Sequence, residues 1–328
     1  MKLTRYGRSA LAAVVLTSLV GAATAPAYAV ITFTPFQVPG ATTTYLTDID
    51  NDTIVGFYPN NTGGPFYRTG FSVTGGVYTT IEAPDVNYFG TNVEGISGDT
   101  VVGYFEDNSF YMHGFSYTAG VFTILDAPGV TTDHYTGTLA HGISGNSIVG
   151  QFQGANHTQH GFILTDGVYT TLDFPGAATG SYKGTYATGI SGSTVVGYYD
   201  SPLDSYRHGF VETNGVFTPL DVPGAKETIL TDISGDMVIG YYLDFSDKSH
   251  GFIETNGVFT TIERYVYDES LEKYVTNPFV PKGISGNTIV GSDGYYGGSS
   301  FIMTIPEPAS LALLALGALT VLTRRRKA

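Results

Sequence analysis

The chain has 328 residues, with 29 Asp and Glu against 15 Lys and Arg, and a formal net charge of −14. This balance argues against nucleic-acid binding, which needs a basic face. The absence of cysteine excludes thiol catalysis, iron–sulfur clusters and cysteine-ligated zinc. The 43 glycines, 24 tyrosines and 20 phenylalanines, without helical periodicity, predict an all-β chain with many tight turns.

The first 29 residues have the three parts of a secretory signal peptide. Lys2, Arg5 and Arg8 give a positive start, residues 10–23 are apolar, and residues 27–29 read Ala-Tyr-Ala. The apolar run is short for a membrane anchor, which needs about 20 residues. We therefore expect export and cleavage before Val30. The N-terminal signal and the C-terminal tail contain seven of the basic residues and one acid, so the domain between them, residues 30–304, has a net charge of −20.

A phrase of the type Gly-Ile-Ser-Gly-Asp-Thr-Val-Val-Gly occurs six times in this domain. Its isoleucines are separated by 47, 47, 47, 43 and 51 residues, at Ile49, Ile96, Ile143, Ile190, Ile233 and Ile284. In most units His-Gly-Phe and Gly-Val-aromatic-Thr phrases follow, and Asn-Gly pairs mark hairpin turns. Each unit thus holds four strand-like pieces in about 47 residues, the size of a propeller blade.

The sixth unit ends at Thr304 without its fourth strand, and residues 33–41 at the start of the domain supply a matching piece. An N-terminal strand that completes the last blade would close the ring and remove its exposed edges. The sequence predicts a six-bladed β-propeller closed by this strand. The repeats, from Asp48 to Phe301, also resemble the HAF-type extracellular repeat family. That resemblance implies an extracellular location and no established chemistry.

Two repeated features invite a metal or catalytic interpretation. His113, His160, His208 and His250 occur once per unit, so a propeller would place them on separate sheets, too far apart to share a metal ion. We expect each to cap a turn or to bond a backbone group in its own blade. Asp48, Asp50 and Asp52 resemble half a calcium loop, but position six is Thr53 where such a loop needs Gly. We interpret this segment as a turn and predict no cofactor, with calcium as the alternative.

Positions that differ between repeats are better candidates for ligand binding than positions that are constant. The residue before the Gly/Asp-Ile step varies between units: Thr47, Glu94, His141, Thr188, Thr231 and Lys282. If this strand is innermost, the six side chains form a ring at the central channel. Glu94, His141 and Lys282 could position a small polar ligand there. The alternative is a solvated channel without a ligand.

Aromatic residues also mark the segments that lead into this strand. Tyr88, Tyr135 and Tyr182 are the candidates for one face of the molecule, where tyrosines beside acids can stack on sugar rings. An exopolysaccharide partner would use such a face.

The C-terminal end begins with Pro306, Glu307 and Pro308, continues with a short apolar helix-former and ends in a basic cluster that includes Arg324, Arg325 and Arg326. The basic cluster should stay cytoplasmic, and the apolar run is marginal as a permanent transmembrane helix. This tail, residues 305–328, resembles the PEP-CTERM sorting signal of Gram-negative bacteria. The resemblance implies export machinery and an exosortase as partners, cleavage near Pro306–Pro308, membrane contact before cleavage, and delivery to the cell surface or an exopolysaccharide matrix. A retained membrane anchor is the alternative.

No nucleophile elbow, phosphate-binding loop or zinc-protease motif is present in the sequence. We therefore expect a non-catalytic binding or structural platform associated with extracellular polysaccharide. The alternative is a secreted propeller hydrolase or lyase acting on polysaccharide or a small molecule. Variable ionisable residues gathered in a single pocket would favour the enzyme, and a flat tyrosine-rich face would favour the binder.

Overall fold

A computed structural model of the chain describes residues 31–60, 67–131, 136–268, 273–293 and 298–305. The predicted signal peptide and the tail beyond Ile305 lie outside the described residues. Within them the regular structure is β-strand apart from one 3₁₀ turn at Ala155–His157. The prediction of an all-β chain is confirmed.

The strands form successive four-stranded antiparallel groups, each following the order of the chain. The first group contains β2 (Tyr45–Asp50), β3 (Thr53–Pro59), β4 (Arg68–Thr74) and β5 (Val77–Ile81). The second contains β6 (Val86–Ser97), β7 (Thr100–Asp107), β8 (Met112–Thr118) and β9 (Val121–Leu125). The third contains β10 (Thr138–Ser144), β11 (Ser147–Gln153), β12 (Gln159–Thr165) and β13 (Val168–Leu172).

The fourth group contains β14 (Thr185–Ser191), β15 (Thr194–Asp200), β16 (Arg207–Thr213) and β17 (Val216–Pro219). The fifth contains β18 (Glu227–Ser234), β19 (Met237–Leu243), β20 (Ser249–Thr255) and β21 (Val258–Asp268). The last contains β22 (Lys273–Ser285), β23 (Thr288–Asp293) and β24 (Ser300–Thr304), and β1 (Thr32–Phe36) pairs antiparallel with β24. The N-terminal strand therefore supplies the fourth strand of the last group.

Neighbouring groups are also joined by isolated parallel bridges at Met112–Gly137 and Gln159–Gly184 and by two pairings between named strands. The extended ends of β21 and β22 pair with each other, from Glu263 and Pro278 to Asp268 and Lys273. A single parallel bridge links Arg68 of β4 to Gly90 of β6. These two pairings turn the described strands into two eight-stranded and two four-stranded sheets.

The hydrophobic core lies between neighbouring groups rather than within one of them. The middle aliphatic residue of each second strand is fully buried against the next or preceding group, as Val55 is against Val93 and Ile96, and Val290 against Leu46 and Ile49. The phenylalanine of each third strand is also fully buried, at Phe71, Phe115, Phe162, Phe210 and Phe252. Burial of one such ring contributes about 2–3 kcal/mol, so the repeated phrase encodes repeated packing.

The first strands of consecutive groups contact one another: β2 with β6, β6 with β10, β10 with β14, β14 with β18, β18 with β22, and β22 with β2. Glycine permits this close approach. A Cβ added to Gly283 would lie 2.4 Å from the Cα of Asp48, and one added to Gly95 would lie 2.5 Å from the carbonyl oxygen of His141. The glycine of the Gly-Ile-Ser phrase therefore sets the distance between neighbouring first strands.

The serine of the same phrase links each group to the next. Its hydroxyl accepts a hydrogen bond from a backbone N–H in the following turn, 3.0–3.2 Å away. The donor–acceptor pairs are Gly145–Ser97, Gly192–Ser144, Gly235–Ser191, Gly286–Ser234 and Asn51–Ser285. Asp50 takes the place of serine in the first group and accepts from the N–H of Gly98 at 2.7 Å. The series runs through all the groups and returns from the last to the first.

Candidate functional site

A β-bulge interrupts each first strand at the same place. The register shifts between Leu46 and Asp48 in β2, and the equivalent shift occurs in β6, β10, β14, β18 and β22. A bulge sets two consecutive residues opposite one residue of the partner strand and re-aims their side chains. It explains why both Thr47 and Asp48 line the same internal space.

That space is a cavity of about 700 Å³, enclosed by the first and second strands. The six residues that precede the Gly/Asp-Ile step all line it: Thr47, Glu94, His141, Thr188, Thr231 and Lys282. The structure thus brings together the three ionisable candidates, Glu94, His141 and Lys282, from three separate strands. That they bind a ligand stays a prediction.

Burial is the main cause of the pKa shifts of two of these candidates, Glu94 and His141. It raises the pKa of Glu94 to about 7, although the positive charges of Lys282 and Arg68 oppose the rise. Burial lowers the pKa of His141 to about 4, and the charge of Lys282 acts in the same direction. At neutral pH the cavity therefore contains an uncharged imidazole and a carboxyl group near its titration midpoint.

The sequence interpretation missed a carboxyl pair in the same cavity. Asp48 and Asp232 replace the glycine of the Gly-Ile step and both line the space. Asp48 accepts from the N–H of Ile49 at 2.7 Å and of Ile96 at 2.8 Å, and Asp232 accepts from the N–H of Ile284 at 2.9 Å. The two side chains also hydrogen-bond each other.

One shared proton is needed for that carboxyl–carboxyl bond, since two ionised carboxylates would repel. Burial and the neighbouring Asp232 raise the pKa of Asp48 well above its usual value. Burial raises the pKa of Asp232 to about 7. The signal for this pair was visible in the sequence, because aspartate stands where four of the six repeats have glycine.

The threonines of the ring have their hydroxyl protons engaged. Thr47 donates to the carbonyl of Val55 at 3.3 Å, and Thr231 donates to that of Ile239 at 3.3 Å. The Thr188 hydroxyl lies 3.1 Å from the carbonyl of Val196 and 2.9 Å from that of Leu230. Their oxygen lone pairs remain available on the cavity side.

Aromatic side chains form much of the cavity wall: Tyr45, Phe57, Phe89, Tyr104, Tyr198 and Tyr241. Most follow the Val-Val-Gly of the second strand, a position that varies between repeats and that sequence reasoning overlooked. Phe57 stacks on Tyr45 with ring centroids 5.0 Å apart, and the Arg68 guanidinium lies 5.0 Å from the Phe57 centroid. The wall can therefore offer ring faces and edges to a ligand.

Of the three predicted tyrosines, the structure describes the side chain of Tyr182 alone. Tyr182 precedes β14, is 60% exposed and is not among the described residues that line the cavity. Tyr88 lies within β6 rather than in a loop before it. Tyr135 falls outside the described residues, so a face formed by Tyr88, Tyr135 and Tyr182 stays a prediction.

The repeated histidines lie on separate strands, as expected, but their partners are side-chain carboxylates and not turns or backbone groups. His208 bonds Asp221 through Nδ1 at 2.9 Å and Asp204 through Nε2 at 3.1 Å. His113, His160 and His250 make equivalent contacts with acids of their own groups. The carboxylates raise the pKa of His113 and His208. These pairs stabilise each group internally.

Asn51 and Asp52 form the turn between β2 and β3, whereas Asp48 and Asp50 lie in β2, so the turn interpretation holds only for the end of this segment. Asp50 bonds the Gly98 N–H and the side chain of Asn51. Across the described ranges, no group of three or more His, Asp or Glu side chains could hold a metal ion.

Comparison with known proteins identifies the C-terminal motif. Residues 304–327 match the PEP-CTERM protein-sorting motif. This signal indicates export and surface association in Gram-negative bacteria and implies exosortase processing. The match does not extend to the repeats, so the HAF-type resemblance stays a prediction. No curated protein matches the sequence. As far as the structure describes the chain, it has no helix long and apolar enough to cross a membrane; the predicted tail helix lies outside that part.

Several solved structures share a general likeness with the chain. AofleA from Arthrobotrys oligospora is 13% identical, with 84% of this chain and 90% of that chain covered and a TM-score of 0.49. The six-bladed β-propeller lectin of Aleuria aurantia is 12% identical, with coverages of 80% and 95% and a TM-score of 0.48. TolB from Acinetobacter baumannii is 10% identical, with coverages of 80% and 63% and a TM-score of 0.48. Likeness at this level says nothing about ligand or activity.

Proposed function

We propose that this exported protein is a closed six-bladed propeller that binds a saccharide unit of an extracellular polysaccharide in its central cavity, without catalysing a reaction. Closure is supported by the serine-linked turns, which return from Ser285 to Asn51. It is also supported by the pairing of β1 with β24 and by the contact of β22 with β2. A closed ring would hold the cavity walls at fixed distances.

The observation that carries the binding proposal is the aromatic wall of the cavity on which the variable repeat positions converge. Residues that serve only the blade are the same in each repeat, whereas Glu94, His141 and Lys282 differ and meet in one place. A cavity of about 700 Å³ lies within the range of small-molecule sites, about 300–1,000 Å³. A lining that combines aromatic rings with polar groups suits the apolar faces and hydroxyl groups of a sugar.

Binding of the purified full chain to a glycan array, followed by calorimetric titration of the hits, tests this proposal. We expect Tyr104→Ala to weaken binding about tenfold because it removes an aromatic wall of the cavity. Tyr182→Ala is the matched control, since Tyr182 is exposed and outside the cavity wall. Loss of binding in Tyr182→Ala but not in Tyr104→Ala would place the ligand on the outer face and refute the cavity as the site.

We also propose the domain boundaries predicted from the sequence. Residues 1–29 would be removed as a signal peptide, residues 30–304 would form the propeller, and the tail from Ile305 would be processed at the surface after membrane contact. Intact-mass measurement of the protein recovered from the cell surface tests both ends. A mass that retains either segment would refute the corresponding boundary.

A second candidate is a propeller hydrolase or lyase acting on polysaccharide or a small molecule. Glu94 favours it, because a cavity carboxyl with a pKa of about 7 can donate or accept a proton at neutral pH. The gathering of ionisable residues in one pocket also fits the criterion set out for an enzyme. If glycans are cleaved, Glu94→Gln should bind them and lose turnover by about 100-fold or more. Unchanged glycans after long incubation with the wild-type protein would exclude this candidate for the glycans tested.

A further inference from the structure

We propose that the ligand of the central cavity is an uncharged, hydroxyl-rich saccharide and that glycans of uronic acids are rejected. This inference rests on the proposed function, and it specifies the chemical class of the ligand. It follows from the hydrogen-bonding groups and charges that face the cavity.

The threonines supply acceptors rather than donors. The hydroxyl protons of Thr47, Thr188 and Thr231 are directed to backbone carbonyls of their own or the neighbouring group. A hydroxyl has one proton and two lone pairs, so each of these oxygens can now only accept a bond from a ligand. A ligand must therefore offer hydrogen-bond donors to use these oxygens.

The carboxyl groups of Glu94, Asp48 and Asp232 also line the cavity. The Asp48–Asp232 pair shares one proton and keeps a negative charge, and Glu94 adds to that charge when it is ionised. The cationic groups on the wall are Lys282 and Arg68. Arg68 already donates to Asn92 at 2.6 Å and lies over the ring of Phe57. The positive charges of Lys282 and Arg68 are already opposed by these acids, so a ligand carboxylate would lose its hydration without gaining an unopposed positive charge.

Sugar hydroxyls avoid this cost, because they carry no charge and each hydroxyl both donates and accepts. They can donate to the threonine and carboxyl oxygens and accept from Lys282. His141 adds no positive charge for an anionic ligand at neutral pH, since burial holds its pKa at about 4. At longer range the chain's net charge of −14 repels polyanions.

The test compares matched probes on the purified full chain. Short oligomers of glucose and of glucuronic acid, two to four units long and with the same linkage, are titrated at low and at physiological salt. We expect the neutral oligomer to bind at least about tenfold more tightly at both salt concentrations. Persistence of the preference at physiological salt would locate it in the cavity, because long-range repulsion is screened there.

Thr231→Val is the diagnostic variant, since it removes one cavity acceptor and keeps the shape of the side chain. We expect about fivefold weaker binding of the neutral oligomer. Thr100→Val is the matched control, because the Thr100 hydroxyl bonds that of Thr118 at the far end of its strand. Equal losses in both variants would overturn the role given to the threonine ring.

The outcomes separate this inference from the proposed function. Uronic-acid oligomers that bind as tightly as neutral ones, or more tightly, would overturn the inference and leave the cavity as a saccharide site. A failure of every oligomer and of the glycan array would overturn both.

Discussion

Asp48 and Asp232 illustrate how single residues adapt a repeat to a new role. In four groups the position before isoleucine is glycine, which only permits close packing. In these two groups a carboxyl group lines the cavity, accepts from backbone N–H groups and interacts with its counterpart. Asp48 lies in β2 and Asp232 in β18. The pair therefore connects two groups that are separated by the last group, in which β1 pairs with β24.

The carboxyl pair predicts a pH dependence of stability that can be isolated by mutation. The pKa of Asp232 is about 7 in the folded protein, against about 3.9 for an aspartate in an unfolded chain. Between these values the folded state binds more protons, so the stability contributed by the raised pKa is present at low pH and is lost as the pH rises towards 7. Asp232→Asn keeps an acceptor for Ile284 and removes the acid. We expect its free energy of unfolding to exceed that of wild type by about 1 kcal/mol near pH 8 and to change less between about pH 5 and pH 8.

Chemical denaturation at several pH values measures this difference. Asp236→Asn, in the exposed turn of the same group, is the matched control and should follow the wild-type curve. A variant Asp232→Asn curve with the wild-type slope would show that the pair does not share a proton.

At the residue scale, some of the residues that line the cavity could be predicted from the sequence, and the others could not for a physical reason. Glu94, His141 and Lys282 were found because they vary at an aligned repeat position. Asp48 was not predicted to line the cavity because the acids around it indicated a turn. Asp232 was not predicted because the interpretation used only the position before the Gly/Asp-Ile step. The cavity role of Tyr104 could not be derived without knowing that second strands also face the channel.

At the element scale, the repeated phrases predicted the strands and the turns between them. The His-Gly-Phe phrase lies in the third strand of the four groups that contain it, and the Gly-Val-aromatic-Thr phrase leads into the fourth strand of the first five groups. The bulge at the ring position could not be predicted, because it depends on how first strands crowd at the channel and not on local propensity. The serine hydrogen bonds between neighbouring groups could not be predicted either, since the serine accepts from a backbone N–H about 48 residues away.

Ser191→Ala tests the interlock between neighbouring groups. The Ser191 hydroxyl accepts from the Gly235 N–H at 3.1 Å, so the change removes one link of the series. We expect a loss of about 1 kcal/mol in the free energy of unfolding, as is usual for one hydrogen bond. Ser193→Ala, in the same exposed turn, is the matched control and should change stability by less than about 0.5 kcal/mol. Equal stability of the two variants would show that the link contributes nothing to the association of the groups.

At the scale of the whole molecule, the division of one repeat between the two ends anticipated the pairing of β1 with β24. Such a division is understandable only if the ends meet, because either half alone would leave an unpaired strand edge. The extra pairing of β21 with β22 was not foreseen, since it lengthens two strands beyond the repeat. Strands that are lengthened at one place in the chain cannot be predicted from the sequences of the other repeats.

Phe33→Ala tests whether the groups form one closed ring. The Phe33 ring lies 5.2 Å from that of Phe279 and 6.4 Å from that of Phe301, and it anchors β1 in the last group. We expect a loss of about 2 kcal/mol in the free energy of unfolding, less than for a fully buried phenylalanine. Phe245→Ala, at a site that is 76% exposed, is the matched control and should be near neutral.

Hydrogen exchange of the Phe33→Ala variant then distinguishes a closed ring from an open array. In a closed ring the weakened β1 also loosens β2, which contacts β22 and β23, so amides of Tyr45–Asp50 should exchange faster together with those of Ser300–Thr304. Faster exchange in β24 alone, with β2 unchanged, would show that the first and last groups are not coupled and that the array is open.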